Sequence, residues 1–355
     1  MKLTISTTRL QALLNKAVKG AGCNKLIPMT SLIAIKLKDG VLTLTTTDAT
    51  NYLSLVEKDV AGDEFYVAVQ VDLLTKLVSK MTCDETTLEV VDNHLDVIGN
   101  GKYQIELEVE DDDSLVKLPN PIENFNKDNK IGKTDSEIVR IALTSIKPAL
   151  ATTEDYPWFT CYYVKDSITS TDTYTVADYK RGFLEEPKLM SATVMDLLGL
   201  FIGEITVYAD GDKMLFEAEN GVVYGAIPSG IENYNITAIK ELVTQEFDHS
   251  CTVVKASLLN LLDRISLFVG AYDNGKITLS FGQDGLEVTS RYANEVIKYT
   301  NGDNVGEFVC NTDVNTLTTQ VKAQTGSEIT IEYGKDNAIK LIDGDIVSVV
   351  ALLEE

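Results

Sequence analysis

The sequence predicts an α+β fold built from three successive copies of one repeat, each with two helices packed on antiparallel β-sheets. Three observations support this prediction. Amphipathic helical segments recur in pairs, a strand–turn–strand pattern lies between the members of each pair, and a further hairpin follows each pair. At 355 residues the chain is also longer than a single hydrophobic core usually serves.

The paired helices are identified by apolar residues at three- and four-residue spacing. The first member of each pair spans residues 6–19, 135–147 and 255–268, and the second spans residues 71–81, 192–203 and 312–323. Gly20 and Pro148 end the first two abruptly. The similar distance between the two helices in each copy indicates a repeat.

Hairpins occupy matching places in the three copies. A period-two strand, a short turn and a second strand cover residues 32–45, 159–171 and 277–289, and a second hairpin begins near residues 87, 205 and 329. Similar connectors at residues 119–125 and 228–234 close the first two copies. We therefore expect three domains, at residues 1–126 (repeat 1), 127–243 (repeat 2) and 244–355 (repeat 3).

Composition limits the possible functions. No apolar run is long enough for a transmembrane helix or a signal peptide, and five scattered cysteines indicate reduced thiols, so we expect a cytoplasmic protein without a membrane partner. No known catalytic or nucleotide-binding motif occurs, and the two histidines lack neighbours at ligand spacing. We predict no enzyme activity, no cofactor and no metal site. Cys161 alternates with aromatic residues and is expected in the core.

The net charge of −23 by itself argues against a nucleic-acid partner. Its distribution argues for one. The six predicted helices hold ten basic and six acidic residues, a net charge of +4, which leaves −27 for the rest of the chain. We predict that the following basic residues face DNA, with Lys25 added from the loop after the first helix: Arg9, Lys16, Lys19, Lys25, Lys76, Lys80, Arg140, Lys147, Lys255, Arg264 and Lys322. The bland alternative is that these are ordinary solvated helix surfaces.

Helix packing allows a ring to be tested. Six helices roughly 8–10 Å apart would enclose a circumference of about 55 Å, which leaves an opening of less than about 10 Å. Twelve helices from two chains would leave an opening of about 25 Å, wide enough for a nucleic-acid duplex. A ring therefore requires a head-to-tail homodimer in which repeat 3 of one chain meets repeat 1 of the other. Such a ring would contact the DNA backbone without reading sequence.

The whole chain resembles the bacterial-type DNA sliding clamps, the β subunits of DNA polymerase III. The likeness lies in residues 1–5 and 27–48, in Thr171-Asp172, where the family has Thr-Asp-Gly-His-Arg-Leu, and in residues 349–353, where the family ends with Val-Val-Met-Pro-Met. The resemblance implies a processivity factor for DNA replication, a homodimeric ring around double-stranded DNA that tethers the replicative DNA polymerase and is placed by a clamp loader. The alternative is an acidic repeat scaffold that binds only proteins.

The resemblance also implies two further sites. The family's peptide-binding pocket would be lined here by Thr160, Thr171, Tyr174, Thr175, Val176, Val314, Val349, Val350, Ala351, Leu352 and Leu353. The family's Gly-His-Arg is replaced by residues 173–175 and its Met-Pro-Met by residues 351–353, so we expect an apolar pocket without a charged rim and a dedicated polymerase, as in a phage or plasmid. The dimer interface would contain Tyr103, Ile105, Leu267 and Phe268.

Overall fold

The structure, a computed structural model, describes residues 1–110, 114–153, 155–270, 275–335 and 337–354. The chain divides into two compact units. The first comprises Met1–Glu137 and Thr193–Ile227, and the second comprises Ile138–Ala192 and Pro228–Glu355. Both contain helices and antiparallel sheets, which confirms the α+β class.

The helices of the described ranges are α1 (Thr7–Ala17), α2 (Val71–Ser79), α3 (Ser136–Ser145), α4 (Ala192–Leu198), α5 (Ile236–Thr244), α6 (Lys255–Ser266) and α7 (Val314–Ala323). The six predicted helices correspond to all of these except α5, which follows the connector predicted at residues 228–234 and was not predicted. The predicted helix at 192–203 is also shorter in the structure, because α4 ends at Leu198.

The strands of repeat 1 are β1 (Lys2–Ser6), β2 (Leu32–Lys38), β3 (Val41–Thr47), β4 (Tyr52–Glu57), β5 (Ala61–Gly62), β6 (Phe65–Gln70), β7 (Glu85–Val91), β8 (His94–Ile98) and β9 (Lys102–Glu106). Those of repeat 2 are β10 (Lys130–Asp135), β11 (Cys161–Val164), β12 (Ile168–Thr171), β13 (Thr175–Tyr179), β14 (Lys188–Ser191), β15 (Glu204–Asp210), β16 (Lys213–Ala218) and β17 (Gly221–Ala226). Those of repeat 3 are β18 (His249–Val254), β19 (Lys276–Gly282), β20 (Gly285–Thr289), β21 (Asn294–Ile297), β22 (Asn301–Asn304), β23 (Phe308–Asp313), β24 (Glu328–Lys335), β25 (Ala338–Asp343) and β26 (Ile346–Ala351).

Two sheets form the first compact unit. One has the strand order β5-β1-β7-β8-β9, and the other has the order β10-β15-β16-β17-β4-β3-β2-β6. The second sheet joins strands of repeats 1 and 2, because β17 pairs antiparallel with β4. Period-two burial in β3 and β15 shows that each strand turns one face to the core, as the alternating sequence predicts.

Two further sheets form the second compact unit. A nine-stranded sheet runs β14-β11-β12-β13-β26-β25-β24-β18-β22, and a four-stranded sheet runs β21-β20-β19-β23. Here β13 of repeat 2 pairs antiparallel with β26 of repeat 3. The strands of repeat 2 are thus shared between the two compact units, and the three predicted domain boundaries remain a prediction.

The apolar residues of the predicted pattern form the cores. Leu10, Leu14 and Ala17 of α1 are buried, as are Leu258 and Leu262 of α6. His249 begins β18. Among the described residues no group of His, Cys, Asp or Glu side chains could hold a metal ion. Residues 111–113, in the acidic run at 108–113, lie outside the described residues.

Candidate functional site

The helix pair of the first compact unit carries basic side chains on its solvent-accessible side. Gln11 of α1 links the pair, because its Nε2 donates to the carbonyl oxygen of Val78 at 2.9 Å and to that of Met81 at 3.0 Å. Leu10 and Leu14 of α1 and Leu74 and Val78 of α2 point into the core. Of the predicted DNA-facing lysines in this pair and the loop after α1, Lys16 is half-buried. The others are exposed, namely Lys19, Lys25, Lys76 and Lys80.

Some predicted DNA-facing residues have internal partners. Arg9 donates from Nε to Oε1 of Glu57 at 2.6 Å and from Nη2 to the carbonyl oxygen of Lys58 at 2.9 Å. Lys76 forms an exposed ion pair with Asp72 one helical turn away, at 2.9 Å. These contacts reduce the charge that Arg9 and Lys76 can offer to a polyanion.

In the second compact unit, too, some predicted DNA-facing residues have internal partners and others are exposed. Arg264 donates from Nε to Oε2 of Glu295 at 2.9 Å, and its guanidinium lowers the pKa of that carboxyl. Lys255 donates from Nζ to the carbonyl oxygens of Lys322, at 3.2 Å, and of Gln324 at the end of α7, so its charge stabilises a helix C-terminus. The side chains of Lys322, Arg140 and Lys147 are exposed.

The strand pair β13–β26 brings most of the predicted pocket residues together. Thr175 lies opposite Val350 and Val176 lies opposite Val349. The backbone N–H of Ala351 donates to the carbonyl oxygen of Tyr174 at 2.9 Å, which extends the pairing by one residue. The fold therefore makes residues 174–176 neighbours of residues 349–351, although the two segments are far apart in sequence.

The predicted pocket residues nevertheless lie on two faces of the sheet. Val349 and Val176 belong to an apolar cluster with Tyr234 and Ile239. Val350 belongs to the opposite cluster, which also contains Val314 and against which Leu352 packs. Successive side chains of a strand point to opposite faces. The eleven residues therefore do not line one cavity.

Exposure separates the same residues further. Thr171, Thr175, Val314 and Val350 are buried, whereas Tyr174 is 73% exposed and Leu353 is 39% exposed. Thr160 and Ala351 are half-buried. Cys161 is buried as expected, and burial raises the pKa of its thiol.

Helix α5 is the main feature of this region that the sequence interpretation missed. Its Ile239 and Val243 are buried against the face that carries Val349. Tyr234, two residues before the helix, is fully buried and donates from its hydroxyl to the carbonyl oxygen of Thr169 at 3.1 Å. The apolar spacing of residues 236–243 was a signal that could have revealed this helix.

Two lysines fasten the α5 region to the sheet. Lys240 of α5 pairs with the buried Asp178 of β13. Lys340 of β25 donates to the carbonyl oxygen of Gln245 at 2.7 Å and pairs with Glu332 at 2.7 Å. Ion pairs within the chain therefore lie beside the apolar cluster that contains Val176, Val349 and Ile239.

No protein-family model matches the sequence, and no curated protein matches it. Among solved structures, the sliding clamp of Bacillus subtilis DNA polymerase superposes with a TM-score of 0.82 at 18% identity, over 100% of this chain and 99% of that chain. The β subunit from Streptococcus pyogenes DNA polymerase gives a TM-score of 0.84 at 15% identity, over 100% of both chains. The β subunit of Thermotoga maritima DNA polymerase III gives 0.80 at 15% identity, over 100% and 99%. The chain has the sliding-clamp fold.

The sliding-clamp fold confirms the predicted three-domain α+β architecture. Within it, the predicted dimer residues differ in exposure. Leu267 is 80% exposed, and Phe268 and Tyr103 are about half exposed. Ile105 differs from these three, because it is 3% exposed in its own compact unit. A side chain that is already buried gains little from burial by a second chain.

Within the described ranges, no helix is long and apolar enough to cross a membrane. The DNA-facing, partner-binding and dimer residues remain predictions at this level of likeness.

Proposed function

We propose that the chain is a DNA polymerase processivity factor: two copies close a ring around double-stranded DNA, and the ring tethers the replicative polymerase. The observation that carries the proposal is the match to bacterial sliding clamps over the entire chain, with TM-scores of 0.80 to 0.84. The role needs no enzyme activity, because a closed ring holds its partner by topology.

The charge pattern supports the same proposal. The chain carries −23 overall, yet the six predicted helix segments carry a net charge of +4, with ten basic and six acidic residues. In a ring these helices would face the phosphates while the acidic remainder repels DNA from the outside. Contacts of this kind depend on charge and not on base sequence, so the ring would slide.

The polymerase and the clamp loader are proposed to bind near the strand pair β13–β26. The exposed Tyr174 and the partly exposed Leu353 stand at one end of this pair, beside the apolar face that α5 covers. The family's charged Gly-His-Arg segment is absent from residues 173–175. We therefore propose a partner segment that is apolar and dedicated to this clamp.

Retention on DNA tests the ring. The protein is loaded, with a clamp loader, onto a nicked circular plasmid and onto the same plasmid after linearisation, and both are passed through a sizing column at moderate salt. We expect retention on the circle and loss from the linear molecule. Equal retention on both would contradict the ring. Equal absence from both, with a monomeric protein at all concentrations, would contradict the whole proposal.

The alternative, an acidic scaffold that binds only proteins, is not favoured, because the fold that matches over the full chain is that of DNA clamps. The same plasmid experiment separates the two, since a scaffold would not be retained on circular DNA.

A further inference from the structure

The two junctions between successive repeats use matching strand pairs. In the first compact unit β17 pairs with β4, and Tyr224 lies opposite Tyr52. In the second compact unit β26 pairs with β13, and Val349 lies opposite Val176. Because the repeats share one order of helices and hairpins, the two junctions can be compared position by position.

Hairpin pairing shows which positions on β4 and β13 are equivalent. Thr47 pairs with Tyr52 across the turn before β4. Thr171 pairs with Val176 across the turn before β13, over the same number of residues. Tyr52 and Val176 therefore occupy one position in their repeats.

The partner strands β17 and β26 can be aligned by a count along β15 and β24. Both of these strands begin with Glu-Ile-Thr. Pairing across the next two strands leads from their fifth residues, Tyr208 and Glu332, to Tyr224 and Val349. Tyr224 and Val349 therefore also occupy one position.

The side chains at these equivalent positions differ in size. At the first junction the rings of Tyr52 and Tyr224 meet edge to face, with centroids 5.8 Å apart, and the ring of Phe125 lies 6.0 Å from that of Tyr224. At the second junction the two positions hold Val176 and Val349. Valine has no ring and protein interiors are close-packed, so the smaller pair leaves a groove in the sheet that another group must fill.

Helix α5 is an insertion at the second junction. Phe125 and Tyr234 are the last residues of the two similar connectors. Only residues 126–129 separate Phe125 from β10, whereas residues 235–248, which include α5, separate Tyr234 from β18. A helix is therefore not needed to link two repeats, and it occurs at the junction that has the groove.

Apolar residues of α5 fill the groove. Ile239 and Val243 are buried in the apolar cluster that contains Val176 and Val349. Residues four apart lie on one face of a helix. Helix α5 thus packs on the sheet as an amphipathic helix of another protein does when it binds in an apolar groove.

Helix α5 depends on this packing for its stability. It has nine residues, and isolated helices shorter than about 12 residues are marginal in water. Asn235, which precedes the helix, has a φ of 28°, and its side chain makes no capping bond to the first turn. Little besides the groove therefore holds α5 in its helical form.

The chain is fixed on both sides of α5 by bonds outside the helix. Before the helix, the hydroxyl of Tyr234 donates to the carbonyl oxygen of Thr169 at 3.1 Å. After it, the carbonyl oxygen of Gln245 accepts from Nζ of Lys340 at 2.7 Å. Release of α5 from the groove therefore leaves both of its ends attached to the sheet.

An ion pair links α5 to the same face of β13 that carries Val176. Nζ of Lys240 lies 2.6 Å from Oδ1 of Asp178 and also donates to the hydroxyl of Ser167. The Asp178 side chain is 3% exposed. A buried carboxylate that loses its cation is strongly destabilising. Any segment that replaces α5 must therefore bring a positive charge to Asp178.

We infer that the groove under α5 is a docking groove, and that the replicative polymerase displaces α5 with a short amphipathic segment. Two apolar residues of that segment take the places of Ile239 and Val243, and its Lys or Arg takes the place of Lys240 on Asp178. This inference rests on the proposed tethering of the polymerase and specifies the chemistry of the tethered segment.

The attached helix makes the groove selective. Because both ends of α5 are joined to the sheet, the helix stays beside the groove at an effective concentration on the order of 1 mM. A segment with apolar residues alone leaves Asp178 without a counter-charge and does not displace α5. A segment that has both the apolar residues and the cation does.

A peptide added in trans tests the groove. The probe is a fluorescently labelled synthetic peptide with the sequence of residues 234–247. In the protein, Ile239→Asp with Val243→Asp releases α5 and leaves the residues of the sheet unchanged. Fluorescence anisotropy should show that the peptide binds this double variant at least about tenfold more tightly than the wild type, in which α5 occupies the groove.

Two matched controls accompany this experiment. Thr237→Asp with Thr244→Asp adds the same two charges at exposed positions of α5, and this protein should bind the peptide as weakly as the wild type does. A second peptide carries Lys240→Ala and should bind the Ile239→Asp, Val243→Asp protein at least about tenfold more weakly, because Asp178 stays unpaired.

A cooperative unfolding transition shows whether the double variant is folded. If it is not, Lys240→Ala in the protein takes its place, since this change removes the link to Asp178 and leaves the apolar residues of α5 intact. It too should bind the unmodified peptide more tightly than the wild type does. Absence of binding to a folded released variant, or equal binding to released and wild-type proteins, would overturn the docking groove. Equal binding of the two peptides would overturn the role of the cation.

Primer extension distinguishes this inference from the ring. The peptide assay contains no DNA, so expected peptide binding by a protein that is not retained on the circular plasmid would contradict the ring alone. With a retained protein, the unlabelled peptide should reduce polymerase stimulation by the double variant, and the Lys240→Ala peptide should reduce it far less. Stimulation that is unchanged at a saturating concentration of the unmodified peptide would overturn the polymerase as the occupant of the groove.

Discussion

The Nζ of Lys240 lies 2.6 Å from Oδ1 of Asp178, which joins helix α5 to strand β13. The Asp178 side chain is 3% exposed and also accepts from the hydroxyls of Ser167 at 2.9 Å and Thr169 at 2.6 Å. A buried carboxylate with three donors is stable, whereas one that loses its only cation is not.

Lys240→Met is therefore expected to lower the free energy of unfolding by about 3 kcal/mol, because it leaves the Asp178 charge buried without a counter-charge. Adding Asp178→Asn should restore part of the loss, since the remaining group is neutral. Denaturant unfolding measures both. The control is Lys165→Met, an exposed lysine of the same compact unit, which should change the free energy by less than about 0.5 kcal/mol. Equal effects of Lys240→Met and Lys165→Met on the free energy of unfolding would contradict a stabilising role for the Lys240–Asp178 pair.

The apolar end of the chain is expected to contact the polymerase. Leu352 packs against the core of the second compact unit, and Leu353 is 39% exposed. Leu352→Ala combined with Leu353→Ala should weaken polymerase stimulation several-fold and leave the dimer intact, because the predicted dimer residues Tyr103, Leu267 and Phe268 lie elsewhere in the chain. Primer extension with and without the clamp gives the stimulation, and sedimentation gives the dimer. Val309→Ala, at a 65% exposed residue, is the control. Full stimulation by the double variant would exclude this site.

DNA retention should depend more on Lys25 than on Arg9. Each contributes one positive charge, but Arg9 is held by Glu57 and Lys25 has no ion pair among the described residues. Lys25→Ala should shorten the lifetime of the loaded ring on circular DNA and reduce the slope of binding against salt by about one unit on a double-logarithmic plot. Arg9→Ala should have a smaller effect. The reverse order would show that the Arg9–Glu57 pair opens on DNA.

Thiol labelling should follow burial. Burial raises the pKa of Cys251 and of Cys310 to about 12, so at pH 8 almost none of either thiol is the reactive thiolate. Raising the pH increases the thiolate fraction, and unfolding removes the burial that suppresses it. We expect a chromogenic disulfide reagent at pH 8 to label the exposed Cys23 first and these two only in denaturant. Rapid labelling of Cys251 in the native protein would contradict its position in the core.

The sequence predicted six of the helices because their apolar residues recur at helical spacing, and it predicted the hairpins because their strands alternate. No helix was predicted at residues 236–244, although Ile239 and Val243 have the helical apolar spacing of α5. The sequence interpretation placed Val349 and Val350 in one pocket, whereas the strand turns them to opposite faces. Arg9 and Arg264 were predicted to face DNA, but both form ion pairs, with Glu57 and Glu295 respectively. The sequence did not reveal these pairs, because the partners are far apart in the chain.

What the sequence by itself determined is the repeat: the order of helices and hairpins, the absence of a known catalytic motif, and the concentration of positive charge on the helices. These properties are local, so spacing and composition are enough to reveal them. Only the tertiary structure decided which strands meet, with Val176 opposite Val349 and Ser54 opposite Val222. Strand pairing is set by backbone hydrogen bonds between residues far apart in the chain, and those bonds leave no periodic signal in the sequence.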